Sequence, residues 1–217
     1  FLSATGGVNL NPDLQVTIPC KYIVASNSGT LDDDLSIGLN LDLNYKYLRS
    51  SPQGVGYGFS TGYVKGISQF DYGIFMNDLR IYFKPLLNLE FQISGNYNSI
   101  TGNIPVYQYI PLLGGRRESF SLPPDVYPNI LRLNFDTCFL NAAMINLGFI
   151  QPKIDFTGFI EAKKAFSEFK ALDLSTMEIQ AGGGAVAHFL SLCFKFELGY
   201  NFTKQQSAFF FSVGPRY

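Results

Sequence analysis

Leu35-Ser36-Ile37-Gly38-Leu39-Asn40-Leu41-Asp42-Leu43-Asn44-Tyr45-Lys46-Tyr47 alternates apolar and polar residues at every step. Wound as a helix, this run would scatter its apolar side chains around the whole cylinder. Extended as a strand, it sorts them. Leu35, Ile37, Leu39, Leu41, Leu43, Tyr45 and Tyr47 take one face, and Ser36, Gly38, Asn40, Asp42, Asn44 and Lys46 the other. The stretch predicts a long, two-faced β-strand.

The same period recurs along the chain. Leu89, Phe91, Ile93, Gly95 and Tyr97 alternate with Glu90, Gln92, Ser94, Asn96 and Asn98. Leu131, Leu133, Phe135 and Phe139 alternate with Arg132, Asn134, Asp136 and Cys138. Leu192, Phe194, Phe196, Leu198, Tyr200 and Phe202 alternate with Cys193, Lys195, Glu197, Gly199 and Asn201. Val55, Tyr57, Phe59 and Tyr63 alternate with Gly56, Gly58, Ser60 and Gly62. Weaker versions occupy 13–26, 72–86, 153–166 and 177–190, and the last run is Ser207 to Tyr217. The pattern predicts about ten strands of roughly 10–14 residues. Soluble strands average about 5–6 residues, whereas a tilted membrane strand needs about 9–11. Charges and small residues crowd the polar face, and the apolar face carries almost none. Several apolar runs end in aromatics, as interface girdles do: Tyr45, Tyr47, Tyr97, Tyr200, Phe202 and Tyr217. A soluble sandwich also alternates, but its outer face meets water. Strand length and polar-face chemistry favour an all-β, antiparallel transmembrane β-barrel, with apolar side chains toward lipid and polar ones toward the lumen.

Composition agrees. Charged residues make up 15% of the 217, against roughly 25% in soluble domains. A formal net charge of −1 gives no field that would recruit nucleic acid or anionic lipid. No window shows about 18 consecutive apolar residues, so no transmembrane helix is expected. Phe1 in place of Met, without a secretory signal, reads as a processed chain or a fragment. Residues 1–217 read as a single barrel domain. Leu86–Asn88 and Thr203–Gln206 are expected to be short turns, and Ser26–Asp34 and Ile100–Tyr127 long loops. The last holds Pro105, Pro111, Pro123 and Pro124 and the cluster Gly114, Gly115, Arg116, Arg117, Glu118.

From about residue 70 onward the order of features resembles the C-terminal barrel of the BamA/Sam-type outer-membrane assembly family, closest to its patatin-associated variant. A strand pair (72–98) leads into Y-Q-Y-I-P-L-L-G-G at 107–115, similar to the L-G-G that opens the family's inward-folded loop. A strand at 129–140 precedes F-T-G-F-I-E-A at 156–162, then A-G-G-G-A-V at 181–186. F-F-F-S-V-G-P-R-Y at 209–217 resembles the family's terminal strand and the assembly signal of outer-membrane barrels. The resemblance implies a lumenal loop 101–128 whose arginine reaches an acid on the 156–162 strand, here Glu161. The family's Arg-Gly tip is absent, and Arg116 or Arg117 would take its place. It also implies a terminal assembly strand built on Phe209, Phe211, Val213, Gly214 and Tyr217, and a sixteen-stranded barrel. About 10–12 strands are visible here, so the chain is either the C-terminal part of such a barrel or a smaller one.

No nucleophile, general base, cofactor site or metal cluster is read from the sequence, so no enzyme is expected. His188 is the only histidine, which leaves no His-based cluster and no evident triad. Cys20, Cys138 and Cys193 are far apart, lack metal spacing, and read as small inert fillers. Asp32-Asp33-Asp34 reads as a solvated loop, with weak divalent-ion binding or lipopolysaccharide bridging as the alternative. Gly182-Gly183-Gly184 lacks the Lys-Ser/Thr of a phosphate loop and reads as a strand bend or close backbone approach. Asp42, Lys46, Arg80, Glu90, Arg132, Asp136, Glu161, Lys163, Lys195 and Glu197 all fall on predicted lumenal positions, where they either pair or stay solvated. The expected partners are the lipid bilayer, lipopolysaccharide and other envelope proteins, with no nucleic acid. The expected place is an outer membrane. The resemblance points to a Gram-negative bacterium, and organellar outer membranes fit the physics equally. The expected role is insertion or translocation of other outer-membrane proteins, with a passive channel or a structural anchor as alternatives.

Overall fold

The computed structural model describes residues 2–11, 14–27, 30–45, 54–68, 70–105, 127–145, 152–189 and 192–215. They form eleven strands: β1 (Leu2–Asn11), β2 (Leu14–Asn27), β3 (Thr30–Tyr45), β4 (Gly54–Gly66), β5 (Tyr72–Leu86), β6 (Leu89–Gly102), β7 (Asn129–Met144), β8 (Lys153–Phe166), β9 (Glu178–Phe189), β10 (Leu192–Asn201) and β11 (Gln206–Pro215). All eleven lie in one sheet in sequence order, each antiparallel to its neighbours. Among the described residues no ladder joins β1 to β11, and the only helix is two single 3-10 turns, Phe169–Ala171 and Leu174–Thr176.

The strands are 10 to 16 residues long, and β3, β5 and β7 run one or two residues past the length the alternation predicts. β1 is an addition: Leu2, Ala4, Gly6, Val8 and Leu10 alternate with Ser3, Thr5, Gly7, Asn9 and Asn11, a run weakened by small residues. One loop expectation is corrected. Ser26–Asp34 is no long loop, because β2 runs to Asn27 and β3 begins at Thr30. Asp34 pairs with Ile23 inside the ladder, so the acidic triplet is strand. Long and short connections also do not segregate cleanly. The turn at 202–205 sits at the same end of the sheet as the 103–128 and 167–177 connections. At the opposite end two residues separate β1 from β2, β5 from β6 and β9 from β10, and eight separate β3 from β4 and β7 from β8.

The two faces of the sheet differ in an unusual sense. The apolar face is exposed: Leu39 is 56% accessible, Ile93 55% and Leu198 65%. The polar face is buried: Asp34 is 0% accessible, Lys84 1% and Glu197 2%. We call them outer and inner. Water-soluble proteins bury apolar side chains and expose charge; this sheet does the reverse along nearly every strand. The inner face is not polar throughout. Near the 103–128 connection Tyr72, Ile74, Ile100, Ile104 and Ile130 form an apolar cluster, packed against Val64, Phe70, Met76 and Ala165.

Glycine shapes the inner face. On β4, Gly56, Gly58, Gly62 and Gly66 all fall on the inner face, and Asn40 leans over Gly62 and Tyr72 over Gly66. The Tyr72 ring lies across Gly66, and its hydroxyl donates to Asp34 Oδ2 at 2.9 Å. One side chain of β5 thus crosses β4 to reach β3. A second bridge forms where Gly182 of β9 faces Gly199 of β10: Phe159 of β8 and Phe210 of β11 meet above the pair, centroids 6.4 Å apart. At Gly184 an added Cβ would strike the Phe196 carbonyl oxygen. The expected close backbone approach at 182–184 is what the structure has.

Candidate functional site

The inner face of β7 to β10 concentrates the polar chemistry. Alternation turns Arg132 of β7, Glu161 of β8 and Gln180 of β9 inward, and the ladders place Glu161 directly opposite Gln180. Arg132 Nε lies 3.2 Å from Glu161 Oε1, and Gln180 Nε2 donates to Glu161 Oε2 at 2.9 Å. Both members of the ion pair are largely buried. Such a pair adds little net stability, but removing one partner strands a charge at a cost of about 3–5 kcal/mol. The expected lock between Glu161 and Arg116 or Arg117 falls on residues outside the described set; the arginine the structure places on Glu161 is Arg132.

The other predicted lumenal residues sort as follows. Glu197 is buried, accepts from Thr157 Oγ1 at 3.0 Å and pairs with Lys195 at 3.0 Å. Lys84, buried, lies 3.7 Å from Glu90. Arg80 remains half exposed, and its Nε donates to Asp78 Oδ2 at 2.7 Å. Asp42, Asp136 and Lys163 are half-buried on the same face, and Lys46 lies outside the described residues. Most of the predicted charges therefore pair, which was one of the two outcomes left open. On the terminal strand, Phe209, Phe211 and Val213 are exposed on the outer face, Gly214 pairs with Cys193, and Tyr217 lies outside the described residues. Of the expected girdle, Tyr200 and Phe202 are exposed and in edge contact with each other at 5.2 Å.

One grouping was missed by the sequence reading. Asp155 of β8, His188 of β9 and Cys193 of β10 meet on the inner face at the end where β9 stops and β10 begins. His188 Nε2 is 2.7 Å from Asp155 Oδ2, and Nδ1 is 3.1 Å from Cys193 Sγ. Cys193 thus has a polar partner that the sequence reading did not anticipate. The legible signal was the ladder register: β9 ends at Phe189 opposite Leu192, where β10 begins, and His188 therefore faces Cys193. Among the described residues no group of three or more His, Cys, Asp or Glu is placed to hold a metal ion. Comparison with known proteins finds no family model that matches the chain and no similar curated protein.

Proposed function

We propose that this chain is the wall of a transmembrane β-barrel in an outer membrane, that of a Gram-negative bacterium first, and that it aids insertion or translocation of other outer-membrane proteins. The observation that carries the membrane reading is the inverted burial: an exposed belt of Leu, Ile, Val, Phe and Tyr on one face and buried ion pairs on the other. In hydrocarbon, apolar area faces outward without penalty and every backbone group of a paired strand is satisfied. Strand direction bears on closure. In an eleven-strand meander β1 and β11 run the same way. A wall that is antiparallel throughout takes an odd number of further strands between them. One gives twelve, and five gives the sixteen that the family resemblance implies.

The assembly role rests on the edges. β1 and β11 each have a neighbour on one side only among the described residues, and a strand edge is a template for an incoming strand. Insertion by edge pairing would use that property. A hydrated lumen, favoured by the half-exposed Arg80 and Lys195, supports the passive channel as second reading. Depletion of the protein in its host distinguishes them. Assembly predicts that other outer-membrane barrels fall in amount and that Phe211→Asp fails to complement. Unchanged barrel levels together with a steady, large conductance in planar bilayers would overturn assembly in favour of the channel.

A further inference from the structure

The Asp155–His188–Cys193 group plays no part in the function proposed above, yet its polarity is set with care. Asp155 Oδ1 accepts the backbone N–H of Asn141 at 2.6 Å, where β7 departs from regular pairing and Asn141 takes a left-handed φ of 51°. Asp155 Oδ2 faces His188 Nε2. A carboxylate only accepts, so in the neutral ring the proton sits on Nε2. Nδ1 is then left as an acceptor, and the Cys193 thiol donates to it. The two ring nitrogens address different groups on opposite sides, so the three side chains cannot converge on one ion. What they form instead is a thiol, a proton acceptor and a carboxylate that fixes the acceptor's orientation. Lys153, opposite His188 in the β8–β9 ladder, and Lys195, two residues along from Cys193 and paired with Glu197, are the charged neighbours on the flanking strands.

We propose that Cys193 is a thiol–disulfide exchange site for small disulfides, with His188 taking the thiol proton at Nδ1 and Asp155 as the positioning residue. Cys193 Sγ attacks one sulfur of the disulfide. The new S–S bond forms as the old one breaks, and the proton passes through His188 to the departing thiolate, which leaves as a free thiol. The disulfide is the oxidant and Cys193 ends as a mixed disulfide. Exchange at sulfur develops no oxyanion, so it asks only for a thiolate and a proton acceptor, which is what this site supplies.

The test uses the full chain in detergent micelles with 4,4′-dithiodipyridine as the disulfide and absorbance of the released thiopyridone as the readout. Two single-cysteine proteins are compared, one keeping Cys193 and one keeping Cys138. Cys138 also faces inward, on β7. Cys193 should exchange about tenfold faster or more, because the thiolate is the attacking species. Asp155→Asn tests the positioning role. With its oxygen held by the Asn141 N–H, the amide nitrogen faces Nε2 as a donor, the ring tautomer reverses, and the thiol loses its acceptor. Exchange at Cys193 should fall to the Cys138 level. As His188 is the only histidine, nitrogen-15 labelling reads the tautomer directly. The parent should show the Nε2–H form, and Asp155→Asn the Nδ1–H form. Equal rates for the two parent cysteines, an Nδ1–H tautomer in the parent, or full exchange in a folded Asp155→Asn protein would each overturn the proposal.

Discussion

Ile93→Arg puts the orientation of the whole sheet to the test. Ile93 stands on the outer face of β6, between Ile81 of β5 and Phe135 of β7 in the two ladders. It is 55% accessible, so roughly 100 Å2 of it would meet lipid, and at about 25 cal/mol per Å2 that contact contributes ~2.5 kcal/mol. An arginine near the midplane of a barrel's lipid face costs about 2–4 kcal/mol by mutation, the same range reached independently. The fold population should therefore drop by roughly 30- to 700-fold, at 1.4 kcal/mol per factor of ten. Gln92→Arg, one residue away on the inner face, is the control and should cost far less. The assay is urea-dependent folding into phospholipid vesicles, followed by tryptic protection and by the heat-dependent shift in gel mobility. If Ile93 instead met water, the change would be a surface substitution, within about ±0.5 kcal/mol. Equal midpoints for Ile93→Arg and Gln92→Arg, or folding of the parent in buffer without lipid or detergent, would refute the reasoning.

Gly184→Val should destabilise by about 1–3 kcal/mol, because the new side chain meets the Phe196 carbonyl across the ladder. Gly6→Ala, where an added Cβ has nothing within 4 Å, should be neutral in the same folding assay. In the 167–177 connection, hydrogen bonds from the Ser175 side chain and backbone hold the exposed Asp173 carboxyl below its ordinary value of 3.8. A depressed folded-state value means that the turn is fully supported above pH 4 or so and loosens as pH falls through the shifted value. Amide exchange at Ser175 should accelerate there; exchange indifferent to pH, after correction for the intrinsic rate, would remove the turn's dependence on ionised Asp173.

Strand existence was legible because period two survives almost any choice of side chain, provided one face stays apolar. It faltered where small residues dilute the contrast, as at Ala4 and Gly6 in β1. It also faltered where composition imitates a loop. Ser26 to Asp34 is rich in Ser, Asn, Gly and Asp, yet β2 runs to Asn27 and β3 begins at Thr30. Asp34 tolerates the interior because Tyr72, distant in sequence, supplies its donor. The site was less legible for the same reason. Arg132 reaches Glu161, and Asp155 reaches His188, through ladder register, which no single strand's pattern encodes. The pairing of β9 with β10 was the exception, since two strands so near in sequence leave little choice of register for His188 and Cys193.

The two glycine-spanning bridges bear on how the sheet comes apart. A hydrogen-bonded ladder can fray one strand at a time, but Tyr72 ties β3 to β5 over Gly66, and Phe159 ties β8 to β11 over Gly182 and Gly199. Each tie skips the intervening strands, so none of them can detach while the flanking side chains stay in place. The sheet thereby holds two cooperative blocks, β3 to β5 and β8 to β11.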